Sequence, residues 1–177
     1  MKRNVIIAMS AVILAVAAFI IIKKRKKMKY FSIKELCRSE DAEKYGIDNT
    51  PSEEAVSNME NLIVEVLDPC REKYGKPITV NSGYRSRQLN AKVGGVDTSD
   101  HLTGEAADIT GGSVAENRRI FKTLVENGKF DQIIWEKGGQ WVHVSWRGDD
   151  SRHIMLEFKN NSYRRIDENW EEVINKN

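Results

Sequence analysis

An uncharged run from Val5 to Ile22, closed by Lys23-Lys24-Arg25-Lys26-Lys27, divides this chain before any other folding argument applies. Ser10 is its single polar residue. As a helix the run spans about 27 Å, close to the roughly 30 Å hydrocarbon core of a bilayer. A cleaved leader fits less well, because five cations follow the run where small residues would stand. A buried core helix is not normally apolar on every face and ended by five cations. Residues 1–29 therefore read as one membrane-spanning anchor with a basic flank, and 30–177 as a single domain.

Charge follows the same division. Residues 1–29 hold eight Lys/Arg and no acid, which leaves the domain 20 bases against 26 acids. That mildly acidic body lacks the footprint of a nucleic-acid binder, whereas the basic flank suits anionic lipid headgroups. The positive-inside rule then puts the domain on the cytoplasmic side. Met28 also opens an independent-looking segment, and a chain starting there is soluble. Cys37 and Cys70 have no metal-type spacing; a disulfide and two free thiols both stay open.

Within the domain, Ser32-x-x-Glu35 is a capping box, and Ser39 opens a second short helix that Gly46 ends. Thr50-Pro51-Ser52-Glu53 starts a helix with Thr50 as cap and Pro51 at its first position. Val56, Met59, Leu62, Ile63, Val66 and Leu67 fall on its buried face, Pro69 should kink or end it, and Gly75 stops the segment. A strand over 78–80, a brief helix over 88–93 and a strand over 105–109 follow. Ser113 caps a helix stopped by Gly128. Strands over 131–136 and 141–146 flank Lys137-Gly138-Gly139-Gln140, a hairpin signal. A strand over 153–158 and a helix over 168–174 complete an α+β domain with one mostly antiparallel sheet flanked by helices.

The chemistry gathers in Ser99-x-His101-x-x-Gly104-x-Ala106-x-Asp108 and Trp141-Val142-His143. Two imidazoles and a carboxylate supply the three protein ligands of a catalytic zinc, leaving a fourth position for water. A lone strand histidine is more often a packed side chain, and Asp108 alone could cap a turn; the combination carries the reading. Alternation puts Trp141, His143 and Ser145 on one face. The hairpin turn sets Glu136 opposite Trp141 and Ile134 opposite His143, so Glu136 can stand beside a metal as general base. His153 reads as structural or surface and Trp135 and Trp146 as packing the sheet, whereas Trp141 is open between packing and substrate contact.

Together with Ser82-Gly83-Tyr84-Arg85-Ser86, these motifs resemble the zinc D-alanyl-D-alanine carboxypeptidase family, whose fold is shared with Hedgehog domains. The resemblance covers most of residues 30–158 and is closest to the small phage and bacterial branch. It implies one Zn2+ on His101, Asp108 and His143, and Arg85 against the substrate carboxylate or the oxyanion. It further implies Ser99 near substrate, Tyr84 packed beneath Arg85, and Gly83 and Gly104 in backbone roles. Many relatives place an acid three residues before the last histidine; here that position is Gln140, and Glu136 is the substitute. The implied function is a monomeric, membrane-anchored peptidase facing the cell wall, against the charge pattern, and cutting peptidoglycan stem peptides. Carboxypeptidase and L-Ala-D-Glu-type endopeptidase action both stay open. The alternative is a zinc-binding wall or ligand-binding module of the same fold without turnover.

Overall fold

Serines set most of the helix starts. In a computed structural model that describes residues 27–176, Ser32, Ser39 and Ser52 each accept a backbone N–H three residues on. They open α1 (Ile33–Cys37), α2 (Glu40–Tyr45) and α3 (Glu53–Leu62). Beyond α4 (Asp68–Tyr74), Ser86 and Ser113 do the same for α5 (Arg87–Lys92) and α6 (Val114–Asn127). Each bond satisfies one of the donors that a helix start leaves without an intrahelical partner. The cap of α3 is a correction to the expected Thr50. The Thr50 hydroxyl and amide both bond the Asp48 carboxylate, at 2.6 and 2.9 Å, so Ser52 is left to cap.

Pro69 neither ends nor breaks the helical path. A π turn over Ile63–Leu67 joins α3 to α4, and the path runs on to Gly75 at φ 77°. Pro69 has no N–H to give the Glu65 carbonyl, and the Asn127 side chain donates to that carbonyl instead at 3.3 Å. Asp68 beside it accepts the backbone N–H groups of Lys29 and Tyr30, at 2.6 and 2.9 Å. Those bonds pin residues 29 and 30 to α4. The Val5–Ile22 run lies outside the described residues, among which no helix is long and apolar enough to cross a membrane.

Six strands form one sheet: β1 (Thr79–Ser82), β2 (Ala106–Thr110), β3 (Gln132–Glu136), β4 (Trp141–Ser145), β5 (Ile154–Lys159) and β6 (Ser162–Arg165), in the order β1-β2-β4-β3-β5-β6. Neighbours are antiparallel except β3 and β5. The connection from β4 to β5 passes the end of β3, so β5 runs parallel to β3. Strand β6 was not expected from the sequence: all four of its residues are exposed and show no apolar alternation.

Register sorts the two faces. Val80, Ile109, Val142 and Trp135 form one cross-strand row, and Ala107, Val144, Ile133 and Met155 the next. These rows bury against Met59, Leu62 and Leu67 and against Ile120, Phe121 and Leu124 of α6. The closing helix α7 (Trp170–Asn175) stacks Trp170 on Phe121 at 5.7 Å between ring centroids. Trp135 is fully buried and Trp146 packs on the core, as expected for structural residues. On the opposite face one row holds Asp108, His143, Ile134 and Leu156, and the other Trp141, Glu136, Phe158 and Tyr163.

The hairpin between β3 and β4 is fixed from beneath. Gly139 has φ 86°, and a Cβ there would sit 2.0 Å from the Trp135 ring, so the position excludes a side chain twice over. Fully buried Asn117 donates to the carbonyls of Gly139 and Gln140, at 2.8 and 2.9 Å, and accepts from the Thr110 hydroxyl and the Gly111 N–H. Its amide therefore spends every bond holding β2 to the hairpin. Asn117→Ala strands several buried polar groups, each costing about 1–3 kcal/mol. The expected loss of stability is at least about 3 kcal/mol, read from urea unfolding.

Candidate metal centre

The two sequence motifs are joined through their backbones. His101 lies on a short 3-10 turn (Asp100–Leu102) just before β2, and its carbonyl accepts the Arg85 N–H at 3.0 Å. Its Nδ1 lies 2.6 Å from the Gly83 carbonyl. That carbonyl can only accept, so Nδ1 carries the proton and Nε2 presents a lone pair. Gly83 in turn is pressed on α1, where a Cβ would meet the Leu36 carbonyl oxygen at 2.3 Å. Gly104, at φ 76°, faces Ala55 just as closely. The backbone roles expected of both glycines follow from these approaches.

Three donor atoms converge. His101 Nε2 lies 3.2 Å from His143 Nδ1 and 3.4 Å from Asp108 Oδ1, and His143 Nδ1 lies 2.9 Å from Asp108 Oδ1. Tetrahedral zinc with bonds near 2.0–2.1 Å sets its ligands about 3.3 Å apart. The triangle fits that ion. A lone pair on His101 facing a nitrogen and a carboxylate oxygen also needs a proton or a cation at its centre. Burial holds the His101 imidazole below its usual pKa, in the neutral form a metal requires. Burial works against ionising Asp108, but His101 and His143 outweigh it and hold the carboxyl well below the usual range.

The triangle sits in a cleft of about 730 Å³, lined also by Arg85, Ser99, Glu136 and Trp141. Glu136 is buried, and its carboxyl is pushed up to about 7 by burial first and by Asp108 second. Arg85 Nε is buried without a hydrogen-bond partner, and burial lowers the guanidinium pKa against the pull of Asp108. Ser99 precedes the His101 turn. The Trp141 ring carries Lys137 Nζ at 5.2 Å from its centroid. Gln140 is exposed in the turn, away from the cleft. Tyr84 packs against the core, and exposed His153 lies edge-on to Phe130. Cys37 and Cys70 are free thiols; burial pushes the Cys70 thiol up to about 12.

Sequence reasoning missed a charged brace on the cleft wall. Arg147 pairs with buried Asp100, the neighbour of His101, and Arg152 holds fully buried Asp131 through its backbone N–H at 2.8 Å and Nε at 2.9 Å. Both arginines line the cleft. They follow the last motif, on an irregular connection, and no spacing in the sequence joins them to Asp100 and Asp131. The missed Tyr163, from β6, lines the same cleft.

An open set of two imidazoles and a carboxylate, with a near-neutral carboxyl in the same cleft, is the equipment of a metal-dependent hydrolase that activates water. The comparison with known families agrees: the family model described as Peptidase M15 matches residues 29–145, and the chain belongs to that family. A zinc D-Ala-D-Ala carboxypeptidase of Streptomyces albus G is 55% identical over 48 residues, which cover 27% of this chain and 19% of that relative. The chain thus spans about a fifth of the length of the curated relative it matches.

Proposed function

We propose that this chain is a zinc peptidase that hydrolyses peptides of the bacterial cell wall. The observation that carries the reading is the convergence of His101 Nε2, His143 Nδ1 and Asp108 Oδ1 in one cleft with the Glu136 carboxyl. Membership of the peptidase family and the likeness to a carboxypeptidase acting on D-Ala-D-Ala support the substrate class.

His101, Asp108 and His143 would hold the ion. Zinc bound there would supply an acidified water and a Lewis acid. Glu136 takes the proton of the attacking water and returns it to the leaving amine, a task suited to a carboxyl near neutrality. Arg85, which lines the cleft beside the donor triangle, meets the carbonyl oxygen as it gains negative charge. Ser99 and Trp141 flank the peptide. Gln140 takes no part.

Loss of such a donor costs about 100- to 1,000-fold in rate. Arg85→Ala should lose activity on that scale while zinc content stays at one per chain, measured by turnover and metal analysis on the same sample. The reading itself is tested by mass spectrometry of purified peptidoglycan digested with and without chelator. Released stem-peptide fragments that vanish with chelator are expected. Identical digests in both arms contradict it.

A further inference from the structure

The charged brace on the cleft wall links segments that carry the metal ligands. Arg147 stands two residues beyond β4, the strand of His143, and its Nη2 donates to Asp100, the residue before His101. Its Nε lies 3.7 Å from Asp131 Oδ2, just ahead of β3, the strand of Glu136. One guanidinium thus spans two carboxylates, Asp131 fully buried and Asp100 only 8% exposed. Asp131 is held from its other side, where it accepts the Arg152 backbone N–H and Nε at 2.8 and 2.9 Å. Its own N–H donates to the Ser145 carbonyl at 2.6 Å. Asp100 is tied to the ligand turn, where its carbonyl accepts the Glu105 N–H at 3.0 Å and the Thr103 hydroxyl at 3.1 Å. Gly83 and Arg85 anchor that turn to the residues after β1. Arg147 supplies its anchorage to β4.

We propose that Arg147 is a positioning residue for the metal centre. By spanning Asp100 and Asp131 it fixes the turn that carries His101 against the strand that carries His143, and so sets the spacing of the two imidazoles. Ligands held at their spacing before the ion arrives give up less freedom when it binds. Without the brace, the 3.2 Å between His101 Nε2 and His143 Nδ1 becomes one of several separations open to the turn. Partners that orient metal ligands are worth about 10- to 100-fold in metal affinity. The span needs a planar guanidinium, whose Nε and Nη2 serve different carboxylates; an ammonium is a point charge without that fork. The proposal rests on the zinc reading of the donor triangle.

The test is the zinc affinity of the full chain, measured without substrate by competition with a chromophoric chelator, in protein that circular dichroism shows to be folded. Arg147→Lys is the first variant, because it keeps a cation beside the buried carboxylates and removes only the fork. Its zinc Kd should rise by about tenfold or more. Asp100→Asn breaks the same link from its other end and should weaken zinc likewise. The double variant should bind no more weakly than the weaker single one, since both changes act through one link. Arg164→Lys is the control: there an exposed arginine grips buried Glu157 away from the cleft, and zinc Kd should stay at the parent value. An ion pair that serves stability alone, or an arginine that serves substrate alone, would leave the zinc Kd of Arg147→Lys unchanged. That result overturns the proposal, as do equal losses in Arg147→Lys and Arg164→Lys, or additive losses in the double variant. A parent chain that binds no zinc overturns the zinc reading itself, and the positioning role with it.

Discussion

His143→Ala removes zinc and activity together. His143 Nδ1 is one corner of the donor triangle, 2.9 Å from Asp108 Oδ1 and 3.2 Å from His101 Nε2. Without it the ion keeps two protein ligands, and the paired carboxylate loses the partner that helps keep it ionised. The fold does not depend on this side chain, because His143 projects from the cleft face while its neighbours Val142 and Val144 fill the core. Metal analysis should therefore show near-zero zinc in a protein with unchanged circular dichroism. Turnover should fall to the background of the assay. Loss of activity with zinc fully retained would assign the ion to other residues.

The second large effect separates the base from the metal. Glu136→Gln keeps the shape of the side chain and removes its capacity to accept a proton. General base catalysis contributes about 100- to 10,000-fold, and a loss in that range with one zinc per chain is expected. The pH dependence follows from the raised carboxyl. In the metal-free protein Glu136 ionises near 7, well above an ordinary glutamate, chiefly because it is buried. Its folded pKa lies above the unfolded one, so its contribution to stability is fully present in acid and is lost as pH rises through 7. A divalent cation beside it lowers that pKa, and the acid limb of the rate profile then falls below 7. Carboxyl NMR titration with and without zinc reads both midpoints. A midpoint that zinc leaves unmoved would separate Glu136 from the metal site.

Much of this arrangement was legible in the sequence because it depends on local rules. Serine caps, glycine stops and the 137–140 turn fix where elements begin and end. A hairpin with a four-residue turn then dictates that Glu136 faces Trp141 and Ile134 faces His143, and the register follows that pairing. What escaped prediction is long-range. The parallel pairing of β3 and β5 is decided by where a loop crosses the sheet. Pro69 is absorbed by the π turn before it, with Asn127, far along the chain, donating to the Glu65 carbonyl that the proline cannot serve. The pairing of Arg147 with Asp100 joins segments with no shared pattern. Thr50 lost the cap to Ser52 through a turn bond to Asp48, a competition between adjacent polar residues that propensity does not rank.

The central claim is that one zinc ion on His101, Asp108 and His143 makes this chain a peptidase. Zinc titration of the chelator-stripped full chain, with release of peptidoglycan fragments followed at every addition, tests it most directly. Fragment release should rise in proportion to zinc and level off at one equivalent. Release that is unchanged by stripping and by zinc, or zinc that binds at one equivalent without any release, would contradict it.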